Sequence, residues 1–99
     1  MFVLELTYTA PVERVDTHLD AHIAWLDEMY QEGVVIASGR KNPRDGGVLL
    51  AVGDDREHIE RLAATDPFVT GGVAAYRVTE FAATRTAPGL AAYRERPAS

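Results

Sequence analysis

The chain has no cysteine. That excludes disulfides, thiolate nucleophiles and zinc sites built on thiolates. It also fits a reducing compartment, so a cytoplasmic location is expected. Cations are scarce: 10 Lys and Arg stand against 15 Asp and Glu, for a net charge of −5. They are scattered from Arg14 to Arg96, whereas phosphate binding needs them clustered. No nucleic-acid partner is therefore expected. No apolar run approaches the roughly 20 residues of a membrane span. The opening stretch MFVLELTYTA carries no basic region ahead of an apolar one, so neither a membrane partner nor a signal peptide is expected. Internal repeats and low-complexity segments are also missing. What remains is the balance of a globular domain, 46% hydrophobic and 25% charged. Its 99 residues make one domain. A domain of that size buries only about two-thirds of its unfolded surface, which favours pairing with a second copy.

The stretch MFVLELTY alternates. Phe2, Leu4, Leu6 and Tyr8 point one way and Val3, Glu5 and Thr7 the other, the pattern of a half-buried strand. Pro11 ends it and suits a helix start. From Val12 to Glu32 the period becomes helical. At about 100° per residue, Val15, Leu19, Ile23, Leu26, Met29 and Tyr30 share one stripe, and Gly33 suits the helix end. VVIASG reads as a second strand, RKNPRDGG as a loop and VLLAVG as a third strand. DDREHIERLAATDPF opens with Asp54 or Asp55 as N-cap and must stop near Asp66, because the residue before Pro67 is pushed out of the α region. AAYRVTEF reads as a fourth strand, with Tyr76 and Val78 alternating against Arg77 and Thr79. The order βαββαβ predicts a ferredoxin-like α+β sandwich, with four antiparallel strands and both helices on one face. Phe2, Val3, Leu4, Val35, Leu49 and Val78 supply apolar residues for both faces of the sheet, so a homodimer packed through the uncovered face is expected. Residues 1–81 form the domain. Residues 82–99 have no clear period and read as a C-terminal arm or flexible tail.

His22 stands in the middle of the apolar helix face, between Leu19 and Leu26. An unpaired buried ring nitrogen costs roughly 1–3 kcal/mol, so something polar must meet it. Two readings stay open: a core histidine satisfied by one hydrogen bond, or an imidazole facing a cavity as a general acid or base. The candidate partner is Asp66, on the same side of the sheet. Asp66 equally reads as a helix stop tied to local backbone N–H groups. Ser38, at the end of the second strand, reads as a binding residue and not a nucleophile, because no elbow motif surrounds it. Trp25 reads as core or pocket mouth. His18 precedes His22 by one turn, a good spacing for two metal ligands with Asp66 as a third, but H-E-x-x-H is lacking and His18 reads better as a rim residue. His58 reads as solvated. Gly46-Gly47 has no phosphate-binding context. Neither a metal nor another cofactor is expected.

The segments HIAWL, GVVIASG and TDPFVTGGV, in that order and spacing, make residues 1–81 resemble the YciI-like (YCII-related) family. The resemblance implies a fold of the dimeric α/β-barrel superfamily. It also implies a pocket faced by a helix histidine and by the aspartate of a D-P-F element, a pair proposed to be catalytic. The matching positions are His22 and Asp66, completed by Pro67 and Phe68. The family often has Gly-Pro where this chain has Gly39-Arg40, so the rim made by Ser38, Gly39 and Arg40 differs in shape and charge. One enzyme relative is a dehydrochlorinase acting on a chlorinated aromatic.

The expected function is proton transfer with elimination or isomerisation of a small molecule, lyase-like, using His22 and Asp66. A pair without a credible nucleophile points to that class over acyl transfer. The rival expectations are a non-catalytic metabolite-binding module and a dimeric scaffold in which the same two residues form a buried pair.

Overall fold

The computed structural model describes residues 1–96. The elements run β1 (Phe2–Tyr8), α1 (Val12–Asp16), α2 (Leu19–Gln31), β2 (Val35–Arg40), β3 (Gly46–Ala51), α3 (Arg56–Ala63), α4 (Pro67–Thr70) and β4 (Ala74–Glu80), followed by a 3₁₀ turn at Pro88–Tyr93. The four strands form one antiparallel sheet in the order β2-β3-β1-β4. This is the ferredoxin-like α+β arrangement.

The alternation in β1 decides where the core lies. Phe2, Leu4 and Leu6 are buried, and across the ladder they meet Ala51, Leu49 and Gly47 of β3 and Glu80, Val78 and Tyr76 of β4. Trp25 and Met29 of α2 and Ile59 and Ala63 of α3 pack on Phe2 and Leu4. Val15 of α1 and Phe68 of α4 pack on Leu6. The helices therefore share one face. The other face presents Val3 and Leu50, half-buried, and Val48, exposed, beside Glu5, Thr7 and Arg77. The ladder also passes unusually close at one point: a Cβ on Gly46 would fall 1.8 Å from the Leu6 carbonyl oxygen, so only glycine fits.

The expected helix over 12–32 is two helices. The Thr17 hydroxyl turns back to donate to the Arg14 carbonyl at 2.6 Å, a local bond that competes with the helical ladder, and α2 starts afresh at Leu19. His22, Trp25 and Met29 face the sheet, while Ile23 and Tyr30 are exposed. Indole burial outweighs the smaller aliphatic surface of Ile23, and the indole N–H finds a partner in Thr65 Oγ1 at 2.9 Å.

After β4, Phe81 donates its backbone N–H to the Met1 carbonyl and Ala83 is buried. Glu95 folds back to donate to the Ala83 carbonyl at 3.0 Å, and its carboxylate accepts from the N-terminal ammonium. Residues 97–99 of the expected arm lie outside the described residues. No helix among the described residues is long and apolar enough to cross a membrane.

Candidate active site

Asp66, Pro67 and Phe68 each contribute differently to one corner of the molecule. Pro67 ends the α3 segment and opens α4 at its first position, where its missing N–H costs nothing. Asp66 caps that helix: its Oδ1 accepts the Phe68 backbone N–H at 2.9 Å. The capped turn lays the Phe68 ring flat on the His22 imidazole, 3.9 Å between centroids and 7° between planes. The same Oδ1 accepts from His22 Nδ1 at 2.8 Å. Oδ2 accepts from the Tyr76 hydroxyl at 2.5 Å. Asp66 is fully buried and His22 is 8% exposed. One Asp66 oxygen thus ties the local backbone and also holds the histidine.

A carboxylate only accepts, so Nδ1 carries the proton and the neutral ring presents a free lone pair at Nε2. Nε2 has no hydrogen-bond partner among the described residues. None of their buried side-chain nitrogens or oxygens is unsatisfied, so Nε2 keeps access to solvent. His22 lines a cavity of about 140 Å³ between α2 and the sheet. Leu6, Leu19, Ile23, Leu26, Leu49 and Phe68 make its apolar wall. His22, Ser38, Arg40 and Tyr8 supply the polar atoms, and Gly39, Gly46 and Gly47 form the floor on β2 and β3. A void of roughly 150 Å³ holds one benzene ring, so this one suits a single small ring.

The electrostatics separate inner from outer groups. Burial, the Asp66 charge and the hydrogen bond to Asp66 together push the Tyr76 phenol far above its ordinary value, so it stays a neutral donor. Near the mouth, Arg44 donates to Asp16 at 2.6 Å, which holds the Asp16 carboxyl below the usual carboxylate value and raises the guanidinium. Arg44 also donates to the Tyr8 hydroxyl at 3.3 Å. Lys41 lies 3.4 Å from Glu5.

Of the residues singled out from sequence, His22, Ser38, Gly39, Arg40 and Phe68 line the cavity and Asp66 sits directly behind His22. Ser38 Oγ is bonded to the Tyr30 hydroxyl at 2.5 Å. Three others stand outside the lining. Trp25 packs near His22, 6.1 Å between centroids, and is anchored to Thr65. His18 is half-buried against Gly71, where an added Cβ would fall 2.6 Å from its ring. Pro67 is part of the turn. No group of three or more His, Cys, Asp or Glu among the described residues is placed to hold a metal. Two contributors were not singled out, Tyr76 and Tyr8. Each was legible only as an inward position in a strand.

The YCII-related domain matches residues 1–82, most of the chain. The chain belongs to the YCII-related family. Comparison of this YCII-related chain with functionally curated proteins gives no match. Among solved structures it is similar to a 5-chloro-2-hydroxyhydroquinone dehydrochlorinase from Burkholderia phenoliruptrix AC1100, in complex with 2,5-dihydroxybenzoquinone. The TM-score is 0.63 at 18% identity, over 82% of this chain and 93% of that one. At that identity the likeness concerns the fold.

Proposed function

We propose that this YCII-related protein is an enzyme that moves a proton on a small, one-ring molecule, with His22 as the acid/base and Asp66 as the group that orients it. The observation that carries the reading is one histidine with two differently placed nitrogens. Nδ1 is fixed on a fully buried carboxylate at 2.8 Å, and Nε2, without a hydrogen-bond partner among the described residues, belongs to a ring that lines an apolar cavity. The carboxylate fixes the tautomer and stabilises the imidazolium that forms when Nε2 takes a proton, the logic of hydrolytic triads without their nucleophile. The proton then returns to another carbon, giving isomerisation, or the electron pair expels a leaving group, giving elimination. Arg40 at the rim favours a substrate that carries negative charge. The protein acts as a cytoplasmic homodimer, with the face bearing Val3, Val48 and Leu50 as the contact.

The dehydrochlorinase suggests the first assay: chloride release from 5-chloro-2-hydroxyhydroquinone, with binding of 2,5-dihydroxybenzoquinone measured alongside. Turnover should fall by about 10² or more in His22→Ala, the ordinary worth of a positioned acid/base. Turnover unchanged in both His22→Ala and Asp66→Ala would overturn the reading. Binding of the quinone without turnover would make the protein a metabolite-binding module.

A further inference from the structure

Removing a proton from carbon leaves an electron pair that must settle on an electronegative atom, usually an oxygen conjugated with that carbon. A base alone does half of this work; the other half is a donor aimed at the oxygen. We propose that Tyr8 is that donor, held ready by Arg44, and that the site takes substrates whose ring carries an oxygen able to become an oxyanion. This rests on His22 as the base.

The hydrogen-bond bookkeeping of the cavity singles out Tyr8. Three phenols lie near the site. Tyr76 donates its proton to Asp66, and Tyr30 is engaged with Ser38. The hydroxyl of Tyr8 has the opposite bond: it accepts from Arg44 Nε at 3.3 Å. A phenol that accepts from a cation keeps its own O–H free and polarised for donation. Arg44 is fixed in turn by Asp16 at 2.6 Å and lies over the Tyr8 ring, 5.6 Å from its centroid. The arrangement therefore has its own support and does not depend on a ligand to assemble it.

Position agrees. Tyr8 ends the inward-facing row Phe2, Leu4, Leu6, Tyr8 of β1 and lines the same cavity as His22. Phe68 links the two: its ring stacks on His22 at 3.9 Å and meets the Tyr8 ring edge-on at 6.0 Å and 85°. Base and donor thus line one cavity, each in contact with the same Phe68 ring. In the step, the substrate C–H bond breaks and its proton forms N–H at Nε2. The electron pair forms a C=C bond, and the carbonyl π pair moves onto oxygen, which accepts a hydrogen bond from the Tyr8 O–H. Nothing is oxidised or reduced.

The test uses 4-nitrophenolate as a stable one-ring oxyanion and 4-nitrotoluene as its neutral counterpart, with binding followed by calorimetry. Wild-type protein should bind the phenolate more tightly. Tyr8→Phe, which keeps the ring against Phe68, should weaken phenolate binding about tenfold and leave 4-nitrotoluene unchanged, the loss of one hydrogen bond to a charged group. Arg44→Gln should weaken the phenolate when Tyr8 is present and add nothing in the Tyr8→Phe background. A mere surface charge would act equally in both. Phenolate binding equal in wild type and Tyr8→Phe, an Arg44→Gln effect that ignores the background, or no saturable phenolate binding by wild type would each overturn the proposal. Failure of the base itself shows elsewhere, as turnover that survives His22→Ala.

Discussion

Replacing Asp66 by Asn probes the centre of the site with almost no change in shape. In a Ser-His-Asp triad the same exchange costs about 10⁴ in rate, because the amide leaves the histidine in the wrong tautomer. The structure predicts a different result here. Oδ1 accepts from both the Phe68 backbone N–H and His22 Nδ1. A backbone N–H cannot change roles, so the amide oxygen must take the Oδ1 place and the NH₂ must take the Oδ2 place. His22 then keeps its proton on Nδ1 and its lone pair on Nε2. Tyr76 loses its acceptor, and its hydroxyl must turn to accept from the amide. What disappears is the charge. A hydrogen bond to a charged group contributes about 1.5–3 kcal/mol against about 0.5–1.5 for a neutral one. The difference, about 1–1.5 kcal/mol, converts to a roughly tenfold loss of turnover. The stability loss should be of similar size. The assay is turnover together with ¹⁵N NMR of the imidazole. A proton found on Nε2, or a rate loss of the triad's magnitude, would refute the claim that the Phe68 N–H dictates the amide's orientation.

Other expectations follow from single contacts. Folding raises the Tyr76 phenol above its unfolded value of 10.0, so the stability this gives is present below pH 10 and is lost as pH rises above it. The loss runs at up to about 1.36 kcal/mol per pH unit. Urea unfolding against pH should show Tyr76→Phe less stable at neutral pH by about 1.5–3 kcal/mol and converging with wild type above pH 10; parallel curves would contradict this. Gly46→Ala places a Cβ 1.8 Å from the Leu6 carbonyl oxygen and must push β3 from β1. About 3 kcal/mol should be lost, roughly 12–24 °C in Tm, and calorimetry showing an unchanged Tm would refute the close approach. Val48→Lys places a charge on the uncovered sheet face, where Val48 is 39% exposed. Light scattering should give a dimer mass for wild type and a monomer mass for this variant; a wild-type monomer would remove the proposed dimer.

The parts of this structure that a linear reading could reach are those written in periodicity. The alternation in β1 put Phe2, Leu4 and Leu6 on the core side, and the element order led to the ferredoxin-like sheet. His22 was conspicuous because it interrupts an apolar stripe, and TDPF marked Asp66 because proline announces a break. Their contact at 2.8 Å is what the sheet produces by placing α2 and α4 on one face. The phase of α2 was less legible. Ile23 and Tyr30, which a wheel centred on Leu19 and Leu26 places inside, are exposed, because the buried stripe centres on Val15, His22 and Met29 with Trp25 beside them. Four-residue α4 is too short to have a period. Tyr76 and Tyr8 stand in register with their apolar neighbours on β4 and β1, and nothing local separates a tyrosine that packs from one that donates. Only the position of Asp66, and of Arg44, makes that distinction.

The chain has one tryptophan, and it stands against the histidine of the site, 6.1 Å between ring centroids and 24° between planes. The protein therefore carries its own optical probe. An imidazolium beside an indole face is a cation–π contact, while a neutral imidazole is not. Indole emission should register the charge on His22 from a single, unambiguous fluorophore. A ligand that draws a proton to or from Nε2 becomes visible without a label. Compound libraries can then be searched by fluorescence before any reaction is known.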